Sequence, residues 1–431
     1  MSRFANNAMT ETPQEKKLLF LHIPKTGGIT LKAILENNFS QQDCCVDKAE
    51  HEWNRVRHAH EVSMPLVRGH VAANVVSLLE NTHELVTVVQ HPVERFLSQV
   101  FHGMRHHERR RHEDAFASWQ DALLALRNRD PRLFQNYWIR RALDHGTATA
   151  TAATKWTVHD ADWQRFKLIG TSTRLRQFTH LLCYRFGWPP ASPHWWLNSG
   201  GNRLVDPDLY RLVLSSLHFL ADDVDAYRIG AHNFSTHYDA FLAELFPDAP
   251  ATALCDDLIE SRLLNHFKYR LRLRPRGNDA IVRMTMADPL NGTGCWWREY
   301  NGSLYFRWLG PERNTIIYVA TSESTAGWRF EIDIVAFASA RVLSSFQIRI
   351  NGRKCDHVMR TTAGGEHDVK WVATGSIPRE GAADGLTAIH IVTPETLPAM
   401  AQQQLEHSLS TVAYDTRYVS MAIAEVRLLR E

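Results

Sequence analysis

The stretch Lys17-Leu18-Leu19-Phe20-Leu21-His22-Ile23-Pro24-Lys25-Thr26-Gly27-Gly28-Ile29-Thr30 constrains the fold more than any other part of the chain. Its apolar run, closed by a proline and a glycine pair, reads as a fully buried strand. Beyond Gly28 the apolar residues fall at Ile29, Leu31, Ile34 and Leu35, which is helical spacing. A strand, a glycine turn carrying a lysine, and a helix start together make an anion site. Backbone N–H groups point outward at a helix N-terminus, the helix dipole favours negative charge there, and Lys25 adds a full positive charge. Glycines at 27 and 28 admit an anion that a Cβ would hold off, and Thr30 adds a hydroxyl. In a Walker loop the lysine follows the last glycine and precedes Ser or Thr; here Lys25 comes before the glycines, so that motif is absent. Taken alone, an ordinary strand-to-helix turn accounts for the same letters equally well.

The following segments repeat the strand–helix alternation. Met64 to Val71 reads as a short strand leading into a helix over Ala72 to Glu80. Glu84 to Gln90 (ELVTVVQ) is the clearest strand of the chain, β-branched and stopped by His91-Pro92. A helix from Val93 places Phe96, Leu97, Val100 and Phe101 on one face. Phe166 to Thr171 is a further strand ending at a Gly turn, and Arg174 to Phe186 a helix stopped by Gly187-Trp188-Pro189-Pro190. Helical patterns also cover Ala115 to Leu126, Leu133 to Leu143 and, as a pair divided by Asp222-Asp223, Leu209 to Tyr227. Gln41 to Glu61 reads as a polar, irregular loop, and Thr147 to Thr154 as a low-complexity loop or weak helix. The alternation predicts an α/β fold with a largely parallel sheet flanked by helices.

With 431 residues the chain exceeds one typical core, so two domains are expected. The pattern changes after about residue 246. Leu258 to Gly277 is basic and amphipathic; it reads as a bridging helix, with peripheral membrane contact as the alternative. From Ile281 onward short alternating runs are divided by turn signals, the strongest being Asn351-Gly352 after Phe346 to Ile350. Those runs predict an all-β sandwich of roughly seven to nine strands. The expected organisation is a polar segment 1–16, an α/β domain 17–246, a basic linker 247–278 and a β-sandwich 279–431.

Composition excludes several classes. A hydrophobic content of 44% with 22% charged residues is that of an ordinary globular protein, and a net charge of +2 gives no electrostatic case for nucleic acid. The histidine-rich run Met104 to Asp114 (MRHHERRRHED) has no metal-ligand spacing, so no metal is expected; it reads as a solvated helix end or loop more readily than as a docking patch for an anionic acceptor. Six cysteines without CxxC pairs suit a reduced compartment. The first fifteen residues have no apolar signal core, and no run approaches the roughly 20 apolar residues of a membrane span. A cytoplasmic, bacterial protein without a transmembrane segment is the expectation.

Three motifs of the N-terminal half resemble the sulfotransferase family that uses the donor PAPS, specifically its heparan and chondroitin carbohydrate branch. Phe20 to Thr30 is similar to the family's 5′-phosphosulfate loop. Gln90-His91-Pro92-Val93-Glu94-Arg95-Phe96-Leu97-Ser98 is similar to its 3′-phosphate motif, which normally opens on Arg-Asp-Pro. Phe166 to Leu175 (FKLIGTSTRL) resembles its later strand–Gly–Thr–Arg element. The resemblance covers about residues 17 to 246 and implies a P-loop-like fold. It also implies donor contacts from Pro24, Lys25, Thr26, Gly27, Gly28, Ile29, Thr30, Gln90, Arg95, Ser98 and Arg174.

The physical logic stands beside the family name. PAPS carries phosphate groups at both ends of its ribose, and two anion sites at strand-to-helix junctions suit that layout. Lys25 would neutralise the oxygen left by the departing sulfuryl group, a contribution on the order of 3 kcal/mol. Transfer would follow the in-line logic of phosphoryl transfer. His70, in an Arg68-Gly69-His70 run, stands where the carbohydrate enzymes place a catalytic histidine. An imidazole of ordinary pKa near 6.5 accepts a proton at neutral pH and contributes roughly 10²–10⁴ in rate. The alternative for His70 is a buried residue capping a helix. Two departures stand out: Arg68 occupies the second histidine position of the hexuronic-acid enzymes, and Gln90 replaces the arginine that makes a charge-assisted contact to the 3′-phosphate.

Sulfuryl transfer from PAPS to a hydroxyl of a glycan or glycolipid is therefore the expected function, with the β-sandwich holding the acceptor. Trp296, Trp297, Tyr300 and Trp308 are candidates to stack on sugars, though core packing is the commoner use of such residues. The rival readings are a sulfotransferase-fold glycan-binding or scaffold module impaired at Gln90, and a nucleotide-dependent kinase, which the missing Walker order disfavours.

Overall fold

A computed structural model describes residues 17–45, 50–53, 55–71, 73–98, 163–190, 207, 211, 221–249, 254–272, 280–321, 327–363, 369–377, 385–399 and 417–430. The chain divides into two compact units. One takes Met1–Gly28, Asp43–Phe178 and Asn198–Asp248; the other takes Ile29–Gln42, Thr179–Leu197 and Ala249–Glu431.

The first unit is organised by a five-stranded sheet in the order β2-β3-β1-β4-β5, from Cys44–Cys45 (β2), Leu66–Gly69 (β3), Leu18–Leu21 (β1), Glu84–Val89 (β4) and Leu168–Thr171 (β5). Every neighbouring pair is parallel. β1 and β3 are buried at every position, as a sheet covered on both faces requires. Leu19, Val67, Leu85 and Ile169 share one core with Trp53, Val75 and Trp163. The helices α1 (Gly28–Asn37), α2 (Glu50–Trp53) and α3 (Ala73–Leu79) follow in chain order. Residues 92–98 form α4, followed among the described residues by α5 (Leu175–Phe186) and α6 (Ala221–Leu245); α1 from Ile29 and α5 from Thr179 belong to the second unit.

Two expectations are corrected. The polar stretch Gln41 to Glu61 is not an irregular loop: it supplies the edge strand β2, in which Cys44 pairs with Leu66 and Cys45 with Val67, and then α2. Asp222-Asp223 lies inside the helix α6 instead of at a break, the stretch 212–220 before α6 lying outside the described residues, and buried Asp223 is 3.9 Å from the Arg95 guanidinium. That charge partner is what lets an aspartate enter a buried helix face. The run 104–114, the helical patterns at 115–126 and 133–143 and the loop 147–154 lie outside the described residues.

The second unit begins its C-terminal run with α7 (Asp256–Arg272). Strands β6 (Ile281–Thr285), β7 (Gly292–Thr293), β8 (Cys295–Tyr300), β9 (Tyr305–Leu309), β10 (Asn314–Ala320) and β11 (Trp328–Phe337) follow. After α8 (Ala340–Ser345) come β12 (Gln347–Ile350), β13 (Arg353–Cys355), β14 (Val358–Thr361), β15 (Trp371–Ser376), β16 (Leu386–Val392), β17 (Leu397–Pro398), β18 (Tyr418–Val419) and β19 (Met421–Arg430). One sheet runs β13-β12-β16-β10-β7 and another β14-β15-β11-β19-β9-β8, with β6 also on β19 and β17 pairing β18. Ile317, Ile348 and Ile389 from the first sheet and Phe330, Ile332 and Val426 from the second share one core, the mark of a sandwich. The described strand segments outnumber those expected, in part because β7, β17 and β18 have only two residues each, too few to leave an alternating pattern.

α7 buries Ile259, Leu263, Phe267 and Leu271, one apolar face at helical spacing. Phe267 and Leu271 pack with Tyr318 and Leu386 from β10 and β16. That face is therefore covered by protein, while Leu258 and Tyr269 of the same helix are exposed and residues 273–277 lie outside the described residues. Among the described residues no helix is long and apolar enough to cross a membrane.

The Asn351-Gly352 hairpin forms as expected between β12 and β13, with φ of 49° and 84°. Asn351 Oδ1 also accepts from Ala388 N at 2.7 Å, tying the turn to β16. Asn351→Ala should cost about 2 kcal/mol, from left-handed strain and one lost hydrogen bond. Asn351→Gly should cost about 1 kcal/mol, because only the hydrogen bond goes. Urea unfolding of the full chain followed by tryptophan fluorescence would measure both.

Candidate active site

The parallel sheet places several chemically distinctive segments at one edge. Leu21 is opposite Gly69 and Thr87, and Val89 opposite Thr171, so the loops after β1, β3, β4 and β5 all leave from the carboxyl ends of the strands. The chain moves from β1 to one side of the sheet and later returns to β4 on the other. This makes the β1/β4 boundary a topological switch point, where open α/β sheets bind ligands.

The loop after β1 has a specific backbone. Lys25 has φ 70° and Gly27 φ 88°. A left-handed lysine is uncommon, and alternating left-handed residues turn successive N–H groups toward one side as an anion nest. Thr26 is fully buried and donates its hydroxyl to Ile23 O at 2.8 Å, fastening the turn to the strand end. Pro24 and Lys25 are half-buried and Gly27 is exposed. α1 then starts at Gly28, with Ile29 and Thr30 in its first turn and Thr30 buried.

Gly28 is required by a close approach. A Cβ there would lie 1.8 Å from His22 Nε2. The His22 ring stacks on His70 at 4.6 Å between centroids and on Phe20 at 5.8 Å. His22 is a functional neighbour that sequence reasoning missed; its place inside the Phe20 to Thr30 motif was the available signal. His70 Nδ1 lies 2.7 Å from His22 O. A carbonyl only accepts, so Nδ1 carries the hydrogen, and in neutral imidazole Nε2 is then the basic nitrogen. Thr87 Oγ1 donates to Leu21 O at 2.9 Å and His22 N to Gly69 O at 2.9 Å, fixing the same strand end from both sides.

The second motif is built differently. Gln90 is half-buried directly after β4, while Arg95 and Ser98 are buried one turn apart on α4. Arg95 Nη2 faces Asp223 Oδ2 at 3.9 Å, and its Nη1 has no hydrogen-bond partner among the described residues. Burial pulls this guanidinium below its ordinary value and Asp223 opposes that. An unsatisfied buried donor of this kind fits an anion. Arg174 follows β5 at the same sheet edge, yet its guanidinium is engaged with α5 and α6: Nε donates to Gln177 of α5, Nη1 to Ser235 Oγ of α6 at 3.0 Å, and the group sits 4.6 Å over Phe234 and 5.3 Å over Tyr238. The structure thus gathers the Lys25 loop, His22 and His70, puts Gln90 and Arg95 at the neighbouring strand end, and aims Arg174 at a helix. Arg68 is buried within β3. Among the described residues no group of three or more His, Cys, Asp or Glu side chains is placed to hold a metal ion.

In the second unit, Trp296 is buried and donates Nε1 to Tyr418 O at 2.8 Å, and Trp297 lies under Arg417 at 4.3 Å. Trp308 packs with Val335, Ala422 and Ala424, whereas Tyr300 is 56% exposed and so the one of these aromatics most open to a ligand.

Residues 10–179 are similar to the sulfotransferase family, whose model they match. No curated protein matches the chain. Among solved structures, a family 35 carbohydrate binding module from Clostridium thermocellum aligns over 35% of this chain and 98% of its own, at 10% identity and a TM-score of 0.21; a likeness of that size carries no structural argument.

Gly28→Ala should displace the His22 ring and with it the His70 stack. The expected outcome is altered imidazole NMR shifts at both histidines and a loss of about 1–3 kcal/mol in stability. Unchanged shifts would mean that the close approach does not hold these rings.

Proposed function

We propose that the first unit transfers a sulfuryl group from PAPS to a hydroxyl of a carbohydrate or glycolipid, on a P-loop-like parallel sheet. The observation that carries the reading is the pairing of a nest-like lysine loop at the end of β1 with a histidine at the end of β3 whose Nδ1 is committed to a carbonyl. PAPS supplies an activated sulfuryl group on a 5′-phosphate. Lys25, the loop amides and the N-terminus of α1 hold that phosphate and meet the charge it acquires as the sulfur–oxygen bond breaks. His70 Nε2 takes the proton of the acceptor hydroxyl as its oxygen bonds to sulfur. Buried Thr26 keeps the loop in shape, and Arg95 with Ser98 offers the 3′-phosphate its donors where Gln90 lacks charge. The sandwich unit would bind the acceptor. The reduced cytoplasm remains the proposed setting.

A second reading has its own observation. Asp223 already faces Arg95, so a 3′-phosphate must share that cation with a carboxylate. If the sharing fails, the chain is an impaired sulfotransferase-fold protein acting as a glycan-binding or scaffold module.

Isothermal titration with PAP and transfer of labelled sulfate from PAPS to a glycan panel separate the two readings. Binding with transfer supports the enzyme; no heat at millimolar PAP refutes it. Lys25→Ala should lower kcat on the order of 10²–10³-fold, and His70→Ala on the order of 10²–10⁴-fold at neutral pH. Gln90→Arg should tighten PAP about tenfold, since a charge-assisted bond contributes roughly 1.5–3 kcal/mol. Unchanged transfer in both the Lys25 and His70 variants would defeat the mechanism.

A further inference from the structure

We propose that Arg298 and Arg307, on strands β8 and β9 of the second unit, are positioning residues for the donor loop, acting through the far end of α1. The role in donor binding rests on the function proposed above; the mechanical coupling does not.

From Ile29 onward α1 belongs to the second unit. Its last turn exposes carbonyl groups that no residue of the helix can satisfy, at the negative end of the helix dipole. Arg298 Nη2 donates to Glu36 O and, at 3.1 Å, to Phe39 O, while its Nη1 donates to Ala287 O. Arg307 Nη1 donates to Asn37 Oδ1 and its Nη2 to Asp288 O at 3.1 Å. The backbone repeats the pattern: Leu290 N donates to Asn37 O at 2.7 Å and Gln41 N to Ala287 O at 3.0 Å. The segment 287–290 and two guanidinium groups therefore grip one helix end.

Stability alone does not ask for this chemistry. Arg307 has no solvent exposure and projects inward on β9 beside Leu309, which belongs to the apolar core. Burial, with repulsion from Arg298 next, pulls its guanidinium down to about 9, so it is still charged at neutral pH. Its Nε has no hydrogen-bond partner among the described residues. Well-packed apolar side chains often replace buried charges without loss of stability. What the charges add is direction: forked donors on fixed carbonyls hold a helix end in one orientation. A ten-residue helix is a rod of about 15 Å, so a tilt at its gripped end moves the N–H groups at the other. Those N–H groups follow directly from Gly27 and Gly28.

Arg298 is half-buried and is the tractable position. The experiment uses the full chain with Arg298→Ala and Arg298→Lys, PAP as probe, and hydrogen exchange resolved to individual amides. Arg298→Ala should weaken PAP binding about tenfold, within the usual range of coupling between sites. It should raise exchange at residues 32–35, whose amides bond back to the first turn of α1, while β1 stays protected, and it should raise the donor KM and leave the acceptor KM unchanged. Arg298→Lys should recover part of each effect. A folded Arg298→Ala with wild-type PAP affinity and wild-type exchange at 32–35 overturns the proposal. If that variant does not fold, Arg298→Lys decides: wild-type values in both measurements overturn it. A wild-type chain that fails to bind PAP refutes the donor reading instead, and the exchange measurement still reports on the coupling.

Discussion

The parallel pairing of β1 with β3 on one side and β4 on the other is the constraint on which the first unit depends. Parallel neighbours cannot be joined by a hairpin, so the chain must cross back over the sheet before each new strand. Every strand then ends at the same edge. Lys25, His70, Gln90 and Ser172 are far apart in sequence, yet each lies just past the last residues of a strand in this one sheet. Register does the positioning: Leu21 faces both Gly69 and Thr87, so His22 and His70 emerge side by side. A fold of this kind needs no long-range side-chain contacts to gather its polar groups, and its sheet can remain apolar on both faces.

The chemistry then depends on how tightly that edge is packed. His22 occupies the space that a side chain at Gly28 would fill, its ring lies against His70, and its carbonyl takes the His70 Nδ1 hydrogen. One residue thus ties the start of α1 to the orientation of an imidazole on another strand.

Much of this layout is legible in the letters, for physical reasons. β1, β3 and β4 are short apolar runs closed by Pro, Gly or His-Pro, so their type and ends are written locally, as is the Asn351-Gly352 turn. What is not written locally is pairing. Cys44 and Cys45 form an edge strand because β3 offers an open flank, not because their own sequence demands it. Arg95 and Arg174 look alike as loose cations near phosphate motifs, but one is buried against Asp223 and the other is spread over Phe234 and Tyr238 of α6. A cation's availability depends on residues more than a hundred positions away in the first case and about sixty in the second, and no local pattern records them. The polar-looking stretch at 258–277 is a similar case: its apolar stripe was visible, but what it would be buried against was not.

The same limit applies to α1. Its apolar spacing marks a helix, and the glycine turn marks its start, but nothing in residues 28–37 shows that its end is held by arginines some 260 positions later. Buried guanidinium groups are costly, and a chain keeps them where a fixed direction matters more than the desolvation they entail. Arg307 meets α1 in this way, whereas Arg95 faces Asp223 of α6 at 3.9 Å, too far for a hydrogen bond. Apolar packing would tolerate small slides of α1, because dispersion contacts have no preferred direction. Hydrogen-bonded charges do not tolerate them. For the proposed transfer, which would depend on in-line alignment of a donor and an acceptor, a helix end held by directional bonds is the mechanical counterpart of the proposed anion-binding loop.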